Sequence, residues 1–276
     1  MEVVDITNDG NWLFSVCYET QNSLLFQYQH NISSFVKEQE INNDLASKSW
    51  AGGITNDFQI VALGKSDGNV HIYKYDNNTN NFIYSQNLSN HDSYIKHIEF
   101  SENNIFMVVS TSYSVYVYKY DGSQYQHHNQ TITFAKSYSR TASITRDNKY
   151  LVISDEVAIA PEFRIYIYKF NETTEIFDEP DNMDILKFDN DPWYSSLSRD
   201  KKYLAISSSP GFTYLYSSPL SEDILLEQSL DGSFYHKFSN DGKYLITSGD
   251  GIIQVYIDCN WNTSGGYFLN NDTSVC

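Results

Sequence analysis

The chain has 276 residues, 41% hydrophobic and 16% aromatic, with 18 basic against 35 acidic side chains and a formal charge of −17. That is enough apolar material for one large all-β domain or two ordinary ones. The acidic balance argues against a protein that neutralises nucleic-acid phosphates or adheres to anionic lipid, so a charged partner is expected to be cationic.

The first residues, "MEVVDITNDGNWLFSV" (1–16), have no basic leader and no uninterrupted apolar run. They read as strand rather than signal peptide, and no apolar run in the chain reaches the ~18 residues of a membrane-crossing helix. Cys17 follows in an apolar strand, where a buried free thiol is expected. The stretch "ITNDGNWLFSV" from Ile6 then recurs as "ITNDFQIVALG" from Ile54, "FSENNIFMVVS" from Phe100, "ITRDNKYLVIS" from Ile144, "LSRDKKYLAIS" from Leu197 and "FSNDGKYLITS" from Phe238. Successive starts lie 48, 46, 44, 53 and 41 residues apart.

Each copy reads as the end of one strand, a turn and an apolar second strand. Asp and Asn turn the chain by bonding their own backbone, and Gly accepts positive φ. A third strand follows, with tyrosines at alternate positions: "VHIYKY" (70–75), "VYVYKY" (115–120), "RIYIYKF" (164–170) and "IIQVYI" (252–257). Tyr73, Tyr118, Tyr168 and Tyr256 hold matching places there and are expected to bury their rings between neighbouring blades. A polar hairpin and a less regular fourth strand complete the unit; only Ser33–Trp50 is mildly helical in pattern. A period of about 40–50 residues with several short strands per unit predicts an all-β, six-bladed β-propeller of four-stranded antiparallel blades. The propeller is expected over residues 1–258, with repeats starting near 1, 49, 95, 139, 192 and 233. Residues 259–276 form a tail that either completes the last blade or contacts a partner, another copy included.

Over residues 1–258 the chain resembles WD40-like propellers. The segment "FSNDGKYL" looks like the family's "FSPDGKYL" turn, and "NHDSYIKHIEFSEN" (90–103) is similar to the stretch that begins a repeat with Gly-His, His91 taking the histidine position. The Trp-Asp pair that ends the family's third strand is replaced by Tyr-Lys-Tyr-Asp or Tyr-Lys-Phe-Asn. The resemblance therefore implies a divergent member, and the family's His–Ser/Thr–Asp–Trp hydrogen-bond network is not carried over to these residues.

No phosphate loop, HExxH, CxxC, GxSxG or dinucleotide-binding glycine signature is present, so no catalytic, cofactor or metal residue is assigned. Adjacent His127 and His128 point to opposite faces of a strand, and the acidic loop from Asp178 to Asp191 lacks the spacing of a calcium loop. Asn-x-Ser/Thr sequons stand at Asn31, Asn77, Asn87, Asn129, Asn171, Asn262 and Asn271. Asn31, Asn77, Asn171 and Asn262 each follow a third strand, in the hairpin where exposure permits N-glycosylation. Cys259 and Cys276 bracket the tail and are candidates for a disulfide.

These features predict a non-catalytic extracellular or cell-surface glycoprotein, a structural or adhesive module that binds proteins, copies of itself among them. The alternative is an intracellular WD40-like scaffold with reduced cysteines and unmodified asparagines. A propeller hydrolase is the third reading.

Overall fold

A computed structural model describes residues 3–7, 9–16, 22–42, 48–134, 137–145, 147–157, 163–180, 185–188, 191–198, 201–209, 211–217, 219–220, 225–231, 235–238, 244–249, 252–257 and 267–268. Two compact units divide the chain, Met1–Thr133 and Phe134–Val275.

The first unit holds three sheets of four antiparallel strands. They are β1 (Val3–Ile6), β2 (Trp12–Val16), β3 (Asn22–Gln29) and β4 (Ser34–Asn42); β5 (Ser49–Ile54), β6 (Ile60–Lys65), β7 (Val70–Asp76) and β8 (Asn81–Leu88); and β9 (His97–Phe100), β10 (Phe106–Ser110), β11 (Ser114–Tyr120) and β12 (Tyr125–Thr133). The second unit begins with β13 (Ser137–Ile144), β14 (Tyr150–Val157), β15 (Phe163–Asn171), β16 (Ile176–Asp178) and β17 (Ile185–Phe188). It continues with β18 (Pro192–Leu197), β19 (Tyr203–Ser208), β20 (Phe212–Ser217) and β21 (Leu225–Asp231), then β22 (Tyr235–Phe238), β23 (Tyr244–Gly249), β24 (Ile252–Ile257) and β25 (Tyr267–Phe268). Both of these last sheets are four-stranded.

The fold is an all-β propeller with four-stranded antiparallel blades, but the expected count is corrected. Five sheets are four-stranded, not six; β13–β17 form a sheet of five. Its outer position is split, because β16 and β17 both pair with β15, one along Lys169–Asn171 and the other along Phe163–Tyr166. Pro180 follows β16, and a proline has no N–H to donate, so an outer strand breaks there. The mildly helical stretch Ser33–Trp50 is also corrected: it contains β4 and the start of β5. Among the described residues none is helical.

The repeated turn has a local hydrogen-bond logic. The hydroxyls of Thr7, Thr55, Ser101, Thr145 and Ser198 each accept the backbone N–H five residues on, at 2.9–3.1 Å. Within the turn, Asp9, Asn103 and Asp147 accept from Thr7, Ser101 and Thr145, so the hydroxyl donates once and accepts once. The residue at the bend has positive φ in every described copy: Gly10, Phe58, Asn104, Asn148 and Lys201. Phe58 is the unexpected member, and its ring stacks on Trp12 at 3.8 Å, which favours the unusual backbone. Asp76 and Asp121, which end third strands where the family has Trp-Asp, cap the next hairpin by accepting backbone N–H groups from Asn78 and from Ser123 and Gln124.

Cores form where sheets meet. Phe14, Val16 and Leu25 pack with Val61, Leu63 and Tyr73; Ile72 and Val70 pack with Met107, Val109 and Tyr118. In the second unit Val152 and Ile165 meet Leu204 and Ile206, and Leu215 meets Leu245. Tyr73, Tyr118 and Tyr168 are buried as expected. Tyr256 is only half-buried, packed against the Leu215–Leu245 cluster.

Outer strands carry a second repeated device. A bulge follows Leu25, Ile72, Val117 and Leu215, and the residue paired with each is a glutamine: Gln39, Gln86, Gln130 and Gln228. Gln39 donates to the Phe82 carbonyl and accepts the Phe82 N–H; Gln86 does the same with Tyr125. Each amide thus acts as one extra residue of strand, closing backbone groups that face out of the neighbouring sheet.

The tail supplies β25, which pairs with its own sheet through Gln254↔Phe268 and Val255↔Tyr267. Cys259 and Cys276, and Cys17, lie outside the described residues.

Candidate interaction surface

Because the strands alternate in direction, each sheet has a first–second strand turn and a third–fourth strand hairpin at one end. The loop leading into the sheet and the second–third strand turn lie at the other. At that second end of the first unit, the loop Ser89–Lys96 joins β8 to β9. Asn90 reverses the chain at φ 72. His91 Nδ1 is 2.6 Å from the Gly68 carbonyl and its Nε2 is 2.8 Å from the Tyr118 hydroxyl. A carbonyl only accepts, so Nδ1 carries a proton, and in the neutral ring Nε2 accepts from Tyr118. Burial lowers the His91 pKa, against the opposing pull of the Gly68 carbonyl and the Asp92 carboxylate.

Asp92 ties this loop to the next turn. Its carboxylate accepts from the hydroxyls of Thr111 (2.5 Å) and Ser114 (2.6 Å), and its N–H donates to the Tyr116 hydroxyl at 3.0 Å. Thr111 in turn caps the N–H groups of Tyr113 and Ser114. Backbone bonds from Ile95 to the Lys65 carbonyl and from Lys96 to the Ser110 carbonyl stitch the loop to both sheets. Ile95 is fully buried, and it seats on Gly64, where a Cβ would come 2.7 Å from the isoleucine's own Cβ. Only glycine leaves that space.

These hydrogen-bonded loops display aromatic side chains. Tyr94 is 39% exposed and Tyr113 44%. The half-buried Trp50 ring lies 5.7 Å from that of Tyr94, and the Lys96 ammonium sits 5.7 Å from the same ring. A half-buried indole beside exposed phenols is the side-chain set that dominates protein–protein contacts.

His91 thus occupies a structural network, one that uses a tyrosine hydroxyl where the family has tryptophan. Trp50, Tyr94 and Tyr113 escaped the sequence reading, since they belong to no repeat. Asn31, Asn77, Asn87 and Asn129 are exposed. Asn171 is half-buried; its amide donates to Asp178 at 2.9 Å and accepts the Thr173 N–H. Asn262 and Asn271 fall outside the described residues. His127 meets the rings of Tyr116 and Tyr118, while His128 meets Phe106. In the acidic loop, residues 181–184 and 189–190 are outside the description. Among the described residues no group of three or more His, Cys, Asp or Glu is placed to hold a metal ion, and no helix is long and apolar enough to cross a membrane.

In the second unit His236 Nδ1 is 2.6 Å from Ser207 Oγ, which is 2.7 Å from Thr213 Oγ1. In an open cleft such a pair forms a nucleophile and its base. Here all three are buried, and Tyr194 packs edge-on to the imidazole at 4.9 Å.

Comparison with known proteins supports the fold. The WD40 family model, "WD domain, G-beta repeat", matches residues 229–256, the end of β21 through β24. No curated protein matches the chain by sequence. Among solved structures, a protein from Lactobacillus plantarum superposes with a TM-score of 0.73 at 15% identity, covering 99% of this chain and 84% of its own. A proposed 6-phosphogluconolactonase of Bacteroides fragilis gives 0.72 at 14%, covering 94% and 80%. Hydrazine synthase of Kuenenia stuttgartiensis gives 0.70 at 14%, covering 93% and 83%. At such identities the likeness establishes the scaffold and carries no activity with it.

Proposed function

We propose that this WD40-like β-propeller is a non-catalytic protein-interaction module, engaging its partner through Trp50, Tyr94 and Tyr113, and that it works outside the cell as a glycosylated structural or adhesive protein. The observation that carries the first part is that the loops bearing exposed Tyr94 and Tyr113 are tied down, one by His91 on the Gly68 carbonyl and both by Asp92 on Thr111 and Ser114, because a loop already fixed loses little entropy on binding. The charge of −17 favours a basic partner by steering its approach. Burial of the Ser207–His236 pair removes that pair as a candidate nucleophile and base. Exposure of Asn31, Asn77, Asn87 and Asn129 supports the extracellular part, since glycan transfer needs an accessible amide.

The test of the surface is retention of partners from the native source on immobilised wild type and on the Tyr94→Ala/Tyr113→Ala double variant. At least one protein is expected to be held by the wild type and lost by the variant, with an unchanged unfolding temperature. Identical retention by both excludes this face. Location is tested separately by intact mass before and after enzymatic deglycosylation. Asn77, exposed in its hairpin, is expected to carry sugar before Asn171, whose amide is engaged. Seven unmodified asparagines in native material would favour the intracellular scaffold.

A further inference from the structure

At the opposite end of the strands from Tyr94, a groove of about 350 Å³ opens between the sheets β5–β8 and β9–β12. Its size lies at the low end of the ~300–1,000 Å³ typical of small-ligand sites. We infer that this groove binds a neutral saccharide, an assignment independent of the protein-interaction surface.

The argument rests on which atoms are spent and which are left. The Asn103 side-chain oxygen accepts from the Ser101 hydroxyl at 2.9 Å and from the Ile105 N–H at 3.1 Å. The Asn104 oxygen accepts from the Asn56 N–H at 3.1 Å, and its own carbonyl accepts from the Tyr125 hydroxyl at 2.7 Å. Both amides are thereby oriented, and among the described residues neither NH₂ has a partner. Asp57 uses one carboxylate oxygen on the Gln59 N–H at 3.2 Å and keeps the other. Tyr75 and Tyr120, both half-buried, supply the apolar rings lining the groove.

Two fixed NH₂ donors, a carboxylate acceptor and aromatic rings suit a molecule with many hydroxyls and apolar C–H faces. Lys74, the cation of the groove, donates to the Ser123 carbonyl and lies 5.6 Å from the Tyr120 ring. With that ammonium engaged and Asp57 opposing negative charge, the groove disfavours phosphate and other anions.

The full chain is titrated with N-acetylglucosamine, chitobiose, mannose and, as a contrast, inorganic phosphate, following the side-chain amide resonances of Asn103 and Asn104. At least one sugar is expected to shift them saturably, and phosphate to leave them in place. Asn104→Asp retains the oxygen that receives the Asn56 N–H but lacks the NH₂; Tyr120→Leu retains an apolar wall but no ring. Each is expected to weaken sugar binding by about tenfold while the protein still unfolds in a cooperative transition above the assay temperature. Sedimentation of glycosylated protein with and without chitobiose tells the source of the sugar. Dispersal of an associated form identifies glycans of a second copy, and a monomer throughout identifies free saccharide. The inference is overturned if no sugar shifts these amides, if phosphate shifts them equally, or if both variants bind as the wild type does. Any of those results leaves the Tyr94–Tyr113 surface untouched.

Discussion

Tyr118→Ala is expected to lower the stability of the first unit by ~3–5 kcal/mol, read as a fall in the denaturant midpoint. The ring is 4% exposed and belongs to the cluster that joins the β5–β8 and β9–β12 sheets. Truncation opens a cavity and also removes the hydroxyl that satisfies His91 Nε2. Tyr118→Phe separates these effects: it retains the packing and loses one hydrogen bond, a cost of about 1 kcal/mol. Since His91 pins the Ser89–Lys96 loop, amide exchange in that loop is expected to quicken in both variants. An unchanged midpoint in Tyr118→Ala would show that the ring carries no packing energy and would place the third-strand register in error by one residue.

Stability is expected to fall as pH drops from 6.5 toward about 3, the fall beginning before the carboxylates are neutralised. His236 is buried, which lowers its pKa from the ordinary 6.5 to about 3, the Ala205 carbonyl pulling weakly the other way. Above pH 6.5 both folded and unfolded states hold a neutral imidazole. As pH falls below 6.5 the unfolded chain takes up a proton that the folded chain refuses, so stability drops by up to ~1.4 kcal/mol per pH unit. His91, also lowered by burial, acts with the same sign. The carboxylates act later. Asp121 is held down to about 2 by the backbone N–H groups of Gln124 and Ser123, and Asp147 is lowered with help from Lys201, so what they contribute is lost only below pH ~4. Denaturant midpoints measured from pH 8 to 4.5 therefore isolate the histidines. His236→Gln is expected to flatten that profile, and a wild-type midpoint constant across the range would refute buried neutral imidazole as its cause.

The parts legible in the sequence are those whose bonds span five residues or fewer. Thr55, Asp57 and Ile60 form a complete turn by themselves, so the motif from Ile54 announces the structure it makes. The glutamine device was half legible. "FVKEQ" and "FIYSQ" place Gln39 and Gln86 four residues beyond an aromatic, a spacing that repeats, but nothing local says that the amide reaches Phe82 or Tyr125 in the next sheet. The split outer strand was marked only by Pro180.

The sequence by itself determined that the chain is an all-β propeller, because turn chemistry and strand alternation are local and recur with the period of a blade. Tertiary structure alone decided where function is to be sought. Trp50 and Tyr94 stand 44 positions apart, and Asp92 meets Ser114 across two loops. Tyr75 and Asn104 line one groove from different sheets. Such neighbours are set by the register of strands and by the contact of one sheet with the next, and neither leaves a periodic trace in the residues that use it.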